Sequence, residues 1–103
     1  MEPGLKDNTN KFKIGNVSLP ALEQTSDAFE YGAGKYGRNN WRKPLKQMDI
    51  LNAILRHVFK YINESDNDKE SGIHHLAHAS SNIHILLQQI HDGVSIDDRF
   101  IKQ

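Results

Sequence analysis

Residues 64–82 read ESDNDKESGIHHLAHASSN. No other run in the 103-residue chain gathers so many groups able to hold a metal ion, a proton or a phosphate. Its first half closes one amphipathic segment, and Ser71-Gly72 breaks the chain. Its histidines then open a second amphipathic segment, so the stretch reads as a helix–loop–helix junction. Asp66, Asp68 and Glu70 alternate through the loop, as ligands to a hard cation often do. The run departs from the calcium-loop pattern, which wants glycine at its sixth position and a bidentate glutamate at its twelfth. Glu70 or Ser71 can instead simply cap the helix that follows.

Downstream, the spacing predicts a helix over residues 73–91. Leu76, Ala79, Ser80, Ile83, Leu86, Leu87 and Ile90 form its expected core stripe. His75, His78 and Asn82 fall at i, i+3 and i+7, on one line. Two histidines on adjacent turns can share a metal or grip an oxyanion together, although a histidine at helical spacing is often only structural. His74, His84 and His91 lie off that line and read as surface. Gly93 ends the helix. Val94, Ile96, Phe100 and Ile101 in the tail are free to dock on a neighbour or another subunit.

Upstream, residues 44–62 predict a helix with a broad apolar face: Leu45, Met48, Ile50 or Leu51, Ile54, Leu55, Val58, Phe59 and Ile62. His57, Lys60 and Glu64 again fall at i, i+3 and i+7, with Asp49, Asn52 and Arg56 as a second polar row. A solvated face is the other reading of such rows. A first helix over residues 20–36 opens on Pro20 and carries Leu22, Ser26 or Ala28, Phe29, Ala33 and Tyr36. Gly32 and Gly34 weaken it by about 1 kcal/mol each and suggest close approach by a backbone or a ligand. Between these helices, Lys35 to Arg42 forms a turn around Gly37. There Lys35, Arg38 and Arg42 can meet phosphates, Asn39 or Asn40 a base edge or ribose, and Trp41 a base face. The plainer reading is a helix-ending turn with Trp41 capping the core. The organisation expected is an arm over 1–19, a helical domain over 20–93 and a tail over 94–103.

Thirteen basic residues balance thirteen acidic ones, which gives no whole-chain field toward nucleic acid or a membrane. The aliphatic runs are too short to span a bilayer, and the polar N-terminus lacks a secretory apolar region. Without cysteine there is neither a disulfide framework nor a zinc–thiolate site. A soluble cytoplasmic domain is expected. Three helices of this kind leave an apolar face uncovered, so the expected fold is an all-α, three-helix protomer completing a four-helix-bundle-like core as a homodimer or homotetramer.

The runs GAGKYGRNNWR (32–42), LRHVFKYINE (55–64), DKESG (68–72) and HLAHASSNIHILL (75–87) together resemble the phage and bacterial dATP/dGTP diphosphohydrolase family, which is related to the MazG-like all-α NTP pyrophosphatases. The resemblance covers about residues 18–90. It implies cleavage of a purine deoxynucleoside triphosphate between the α and β phosphates, with a divalent metal, Mg²⁺ or Mn²⁺, at the triphosphate. MazG-like enzymes hold that metal with Glu-x-x-Glu and Glu-x-x-Asp on successive helices. Here His57 and Lys60 stand in place of the first pair, and His75 and His78 in place of the second. In the catalytic reading, Glu64, Asp68 and Glu70 with His75 and His78 hold the ion, and His57 orients water or a phosphate oxygen. Lys35, Lys60 and Arg38 stabilise polyphosphate charge, while Asn40, Trp41 and Asn82 engage the substrate. The alternative is a module on the same scaffold that binds a nucleotide without hydrolysing it.

Overall fold

The computed structural model describes residues 1–101; Lys102 and Gln103 of the expected tail lie outside the described residues. The fold is all-α. Helix α1 spans Leu19–Tyr36, α2 Gln47–Asn63 and α3 His75–Asp92, with short 3-10 turns at Ile14–Asn16 and Asn40–Arg42. Both α1 and α2 pack on α3 rather than on each other, and the 40–42 turn also rests on α3. Residues 1–18 are exposed throughout. No helix among the described residues is long and apolar enough to cross a membrane.

The helix ends follow from local chemistry. Pro20 sits in the first turn of α1, where its missing N–H leaves no bond unmade. Gly37 stops that helix at φ +91°, a conformation that a Cβ disfavours. Helix α2 begins three residues after Pro44 because the tail has taken up the intervening backbone. Gln47 N donates to Ile96 O at 2.9 Å and Ile96 N to Leu45 O at 3.0 Å. Asp98 Oδ1 then accepts from Met48 N at 2.9 Å, so a tail residue supplies a cap for α2. The start of the tail therefore docks on its own chain.

The start of α3 corrects one reading of the surface histidines. His74 is a half-buried N-cap, its Nδ1 accepting from Leu76 N at 3.0 Å. His84 is exposed, yet its ring lies edge-on to Phe29 at 5.2 Å. For the glycines of α1 the backbone half of the expectation fails: outside their own helix no atom lies within 4 Å of a Cβ placed on Gly32 or Gly34, while Gly32 lines the cleft described below.

The largest departure is the core. Of the stripe expected on α3, only Ala79 and Leu86 are buried. Leu76, Ile83, Leu87 and Ile90 are 41%, 47%, 64% and 52% exposed, whereas His75, His78, Ser81 and Gln89 are buried. The polar line of α3 faces inward because α1 and α2 both pack on that side. Gln89 shows how it is satisfied there. Its Nε2 donates to Trp41 O at 2.7 Å and Lys43 O at 2.6 Å, and its Oε1 accepts from Leu45 N at 3.3 Å. One buried amide thus fastens the 41–45 segment to α3, in keeping with the rule that buried polar groups are hydrogen-bonded.

Candidate functional site

The divergence of α1 and α2 over α3 opens a cleft of about 800 Å³, within the range of small-molecule sites. Lys35, Arg38, Asn40, Trp41, His57, Lys60, Asp68, Glu70, His78 and Asn82 all line it. His75 lies behind His57 and is 2% exposed.

The loop between α2 and α3 is built to aim Asp68. Asp68 N donates to Ile73 O at 2.8 Å, His75 N to Asp66 O at 2.9 Å and Gly72 N to Asp68 O at 2.7 Å. Gly72 takes φ +74° to close this turn. Asp68 Oδ2 accepts from both Ser71 N and Ser71 Oγ at 2.9 Å. The Ser71 hydroxyl spends its one proton on that carboxylate, so its 2.7 Å contact with His78 Nε2 places the proton of that bond on the imidazole. A relay His78–Ser71–Asp68 results.

His57 joins the relay from α2. Its ring stacks on His78, with centroids 4.7 Å apart, and its Nδ1 lies 3.0 Å from Nδ1 of His75. Ligand atoms of His57, Asp68 and His75 all fall within 4.8 Å of one another. Burial, reinforced by the positive charge that His78 and His75 would add, pushes His57 down to about 4. Burial also lowers His78, against the pull of Asp68. For Asp68 burial acts upward, but the two Ser71 bonds and the histidines outweigh it and hold the carboxyl below its usual value. With His57 and His78 both lowered, the cluster sets one carboxylate among imidazole nitrogens, a donor set suited to a divalent cation.

The other expected residues divide. Glu70 accepts from Tyr31 OH at 2.6 Å and from Lys35 Nζ at 3.3 Å. These bonds, the tyrosine first, hold its carboxyl below the usual range and tie the loop to α1. Arg38 is bound two-pronged to Glu30 at 3.0 and 3.1 Å. Trp41 packs edge-on to Phe29 at 5.4 Å and carries Arg42 over its face at 4.3 Å. Asn82 back-bonds to His78 O at 3.0 Å from the cleft floor. Lys60 and Arg56 line the cleft with no ion-pair partner among the described residues.

Glu64 is a correction. It stands at the C-cap of α2, exposed and outside the cleft lining, because α2 ends before the i+7 position comes round. Tyr31, Arg56, Ser71 and Gln89 are contributors that the spacing argument passed over. Ser71 and Gln89 left a trace in the sequence as polar residues adjoining or interrupting the apolar runs. Tyr31 left none.

The chain is 32% identical over 96 residues to the dATP/dGTP diphosphohydrolase of Salmonella phage PMBT28, covering 93% of this chain. It spans about a third (33%) of that relative's length. No solved structure matches. The family model described as dATP/dGTP diphosphohydrolase, N-terminal, matches residues 1–99, and the chain belongs to that family.

Proposed function

We propose that the cleft binds a purine deoxynucleoside triphosphate, dATP or dGTP, and hydrolyses it to monophosphate and pyrophosphate. The observation that carries this reading is the meeting of two chemistries in one 800 Å³ space. The relatives' name supplies the substrate class. The His57–Asp68–His75 cluster stands at the cleft, with His75 behind its lining; Arg56 and Lys60 share α2 with His57, and Lys35 projects from α1. Polyphosphate cleavage needs charge stabilisation more than covalent chemistry. A divalent metal would neutralise the triphosphate and activate water, and His57, Asp68 and His75 are the residues that would hold it. Lys60 and Arg56 meet the phosphates with their charge unspent, whereas Lys35 shares its charge with Glu70. Asn40 and Trp41 flank the base, and Asn82 forms the floor beneath it.

Assembly is part of the proposal. Leu76, Ile83, Leu87 and Ile90 of α3 are exposed, and so are Leu55, Phe59 and Ile62 of α2. A second copy that covers these side chains would form a homodimer or homotetramer, and the balance of thirteen charges of each sign offers little repulsion to self-association.

The deciding measurement is incubation with each dNTP and Mg²⁺, Mn²⁺ or Co²⁺, followed by separation of the products. Monophosphate and pyrophosphate are expected from dATP or dGTP, and Asp68→Asn should abolish turnover with helicity retained. Saturable binding without product under every metal would leave a nucleotide-binding module instead. That second reading has its own support in the imidazoles and lysine at positions where MazG-like enzymes carry carboxylates.

A further inference from the structure

We propose that His57, Asp68 and His75 form a two-histidine, one-carboxylate site for a first-row transition ion of the manganese, iron or cobalt class, and that magnesium is not its resident metal. The inference deepens the reading of the cleft given above and names the ion it is built for.

The donor atoms come from three separate places in the chain. His57 stands on the last turns of α2, His75 is the first residue of α3, and Asp68 belongs to the loop between them. Folding alone brings ligand atoms of all three within 4.8 Å of one another. The Nδ1 atoms of His57 and His75 lie 3.0 Å apart. Two nitrogens bound to one ion at about 2.05 Å stand about 2.9 Å apart at a right angle and about 3.4 Å apart in a tetrahedron. The observed separation, also that of a hydrogen bond between the two rings, is closer to the right-angle value, so both nitrogens can reach one six-coordinate ion with little movement.

The surroundings favour the same assignment. Both Ser71 bonds fall on Asp68 Oδ2, and Oδ1 takes no hydrogen bond among the described residues. Oriented ligands of this kind are what second-layer contacts produce at metal sites. His78 takes that supporting place, since its Nε2 is committed to Ser71 at 2.7 Å. The carboxylates that would favour magnesium are engaged elsewhere or absent. Glu70 is held by Tyr31 and Lys35, and Glu64 is outside the cleft lining. Magnesium keeps oxygen donors and sheds water reluctantly, whereas imidazole suits transition ions.

The test uses the full chain, stripped with a chelator and titrated with MnCl₂, CoCl₂ and MgCl₂. Titration calorimetry, the visible absorption of bound Co²⁺ and the manganese electron paramagnetic resonance signal are the readouts. One Mn²⁺ or Co²⁺ per chain is expected, at least tenfold tighter than Mg²⁺. Cobalt should show visible bands altered by nitrogen donors. His57→Ala and Asp68→Asn should each weaken Mn²⁺ by tenfold or more, with circular dichroism confirming the helices, while Glu64→Gln leaves the affinity as it is. His75 is buried, so the more exposed His57 is the primary variant.

Magnesium binding as tightly as manganese would overturn the proposal. So would no binding of either transition ion, or affinity that survives His57→Ala but falls in Glu64→Gln. Because these readouts need no turnover, a metal-binding chain that hydrolyses no nucleotide sinks the proposed function and keeps the site. Magnesium-supported hydrolysis with no transition-ion binding does the reverse.

Discussion

The two faces of α3 divide their residues against the usual rule. Toward α1 and α2 the helix presents His75, His78, Ser81 and Gln89, all buried, while elsewhere on its surface Leu76, Ile83, Leu87 and Ile90 are all at least 41% exposed. An ordinary amphipathic helix does the opposite. A fold that turns polar groups inward must satisfy each of them. Here no buried side-chain nitrogen or oxygen lacks a partner among the described residues. The difference teaches that chemistry rather than hydrophobic burial selected the inner face. Sites where local rules break are where function is to be sought.

The sharpest way to break the inner face is to remove its metal-ligating chemistry. Asp68→Asn keeps the shape of the side chain but removes its charge from the cluster. Nucleotide turnover is expected to fall by about 100-fold or more, since even supporting residues at such sites are worth 10–100-fold. Turnover within a few-fold of the parent would remove Asp68 from the site. Gln89→Leu attacks the same face at its structural end. It leaves the carbonyls of Trp41 and Lys43 and the N–H of Leu45 without their partner, at a cost of about 3 kcal/mol. Chemical denaturation measures this, and an unchanged midpoint would show that water replaces the amide.

The helices were legible because their apolar periodicity, Pro20, Gly37 and Gly93 are all local signals. The i, i+3 spacing also puts His75 and His78 on one line of α3, but the idea that position 57 meets that line comes from the family resemblance, not from spacing. Three things were not legible. Periodicity says which residues share a face but not which face turns inward, and on α3 it pointed to the aliphatic one. The bond from Tyr31 to Glu70 joins residues 39 apart in sequence, beyond the reach of any local pattern. The delayed start of α2 depends on Ile96 and Asp98, which no reading of residues 44–50 contains. Glu64 failed for a related reason: its place on the row assumed that the helix continued through it, whereas α2 ends one residue earlier, at Asn63.

Protonation gives a milder handle on the inner face. An ordinary histidine takes its proton near 6.5, and His57 is pushed down to about 4. Between those values the unfolded chain binds more protons than the folded one, so stability falls as the pH is lowered. His78, also lowered, acts in the same direction, and Asp68, lowered from the ordinary carboxylate value, extends the loss to lower pH still. The metal-free protein should therefore hold its full stability above pH ~6.5 and lose it progressively toward pH ~4. Melting temperature against pH in the presence of chelator checks this, and His57→Phe should flatten the curve. A flat profile in the parent protein would mean that the imidazoles are as free to ionise as in water.

The outer face offers the smallest effect on the protomer and the clearest reading of assembly. Leu87 is 64% exposed in the single chain, and surface substitutions at such positions change stability by about 0.5 kcal/mol or less. Leu87→Glu should thus leave the helical content and the cleft intact. If a second copy covers this face, the same substitution buries a carboxylate in an aliphatic contact, which is costly. Sedimentation should then find the parent protein as a multiple of 11.8 kDa and the variant as a single chain. A parent protein of single-chain mass would mean that the aliphatic side of α3 is not closed by self-association. The inversion of α3 would then be explained by the cleft alone.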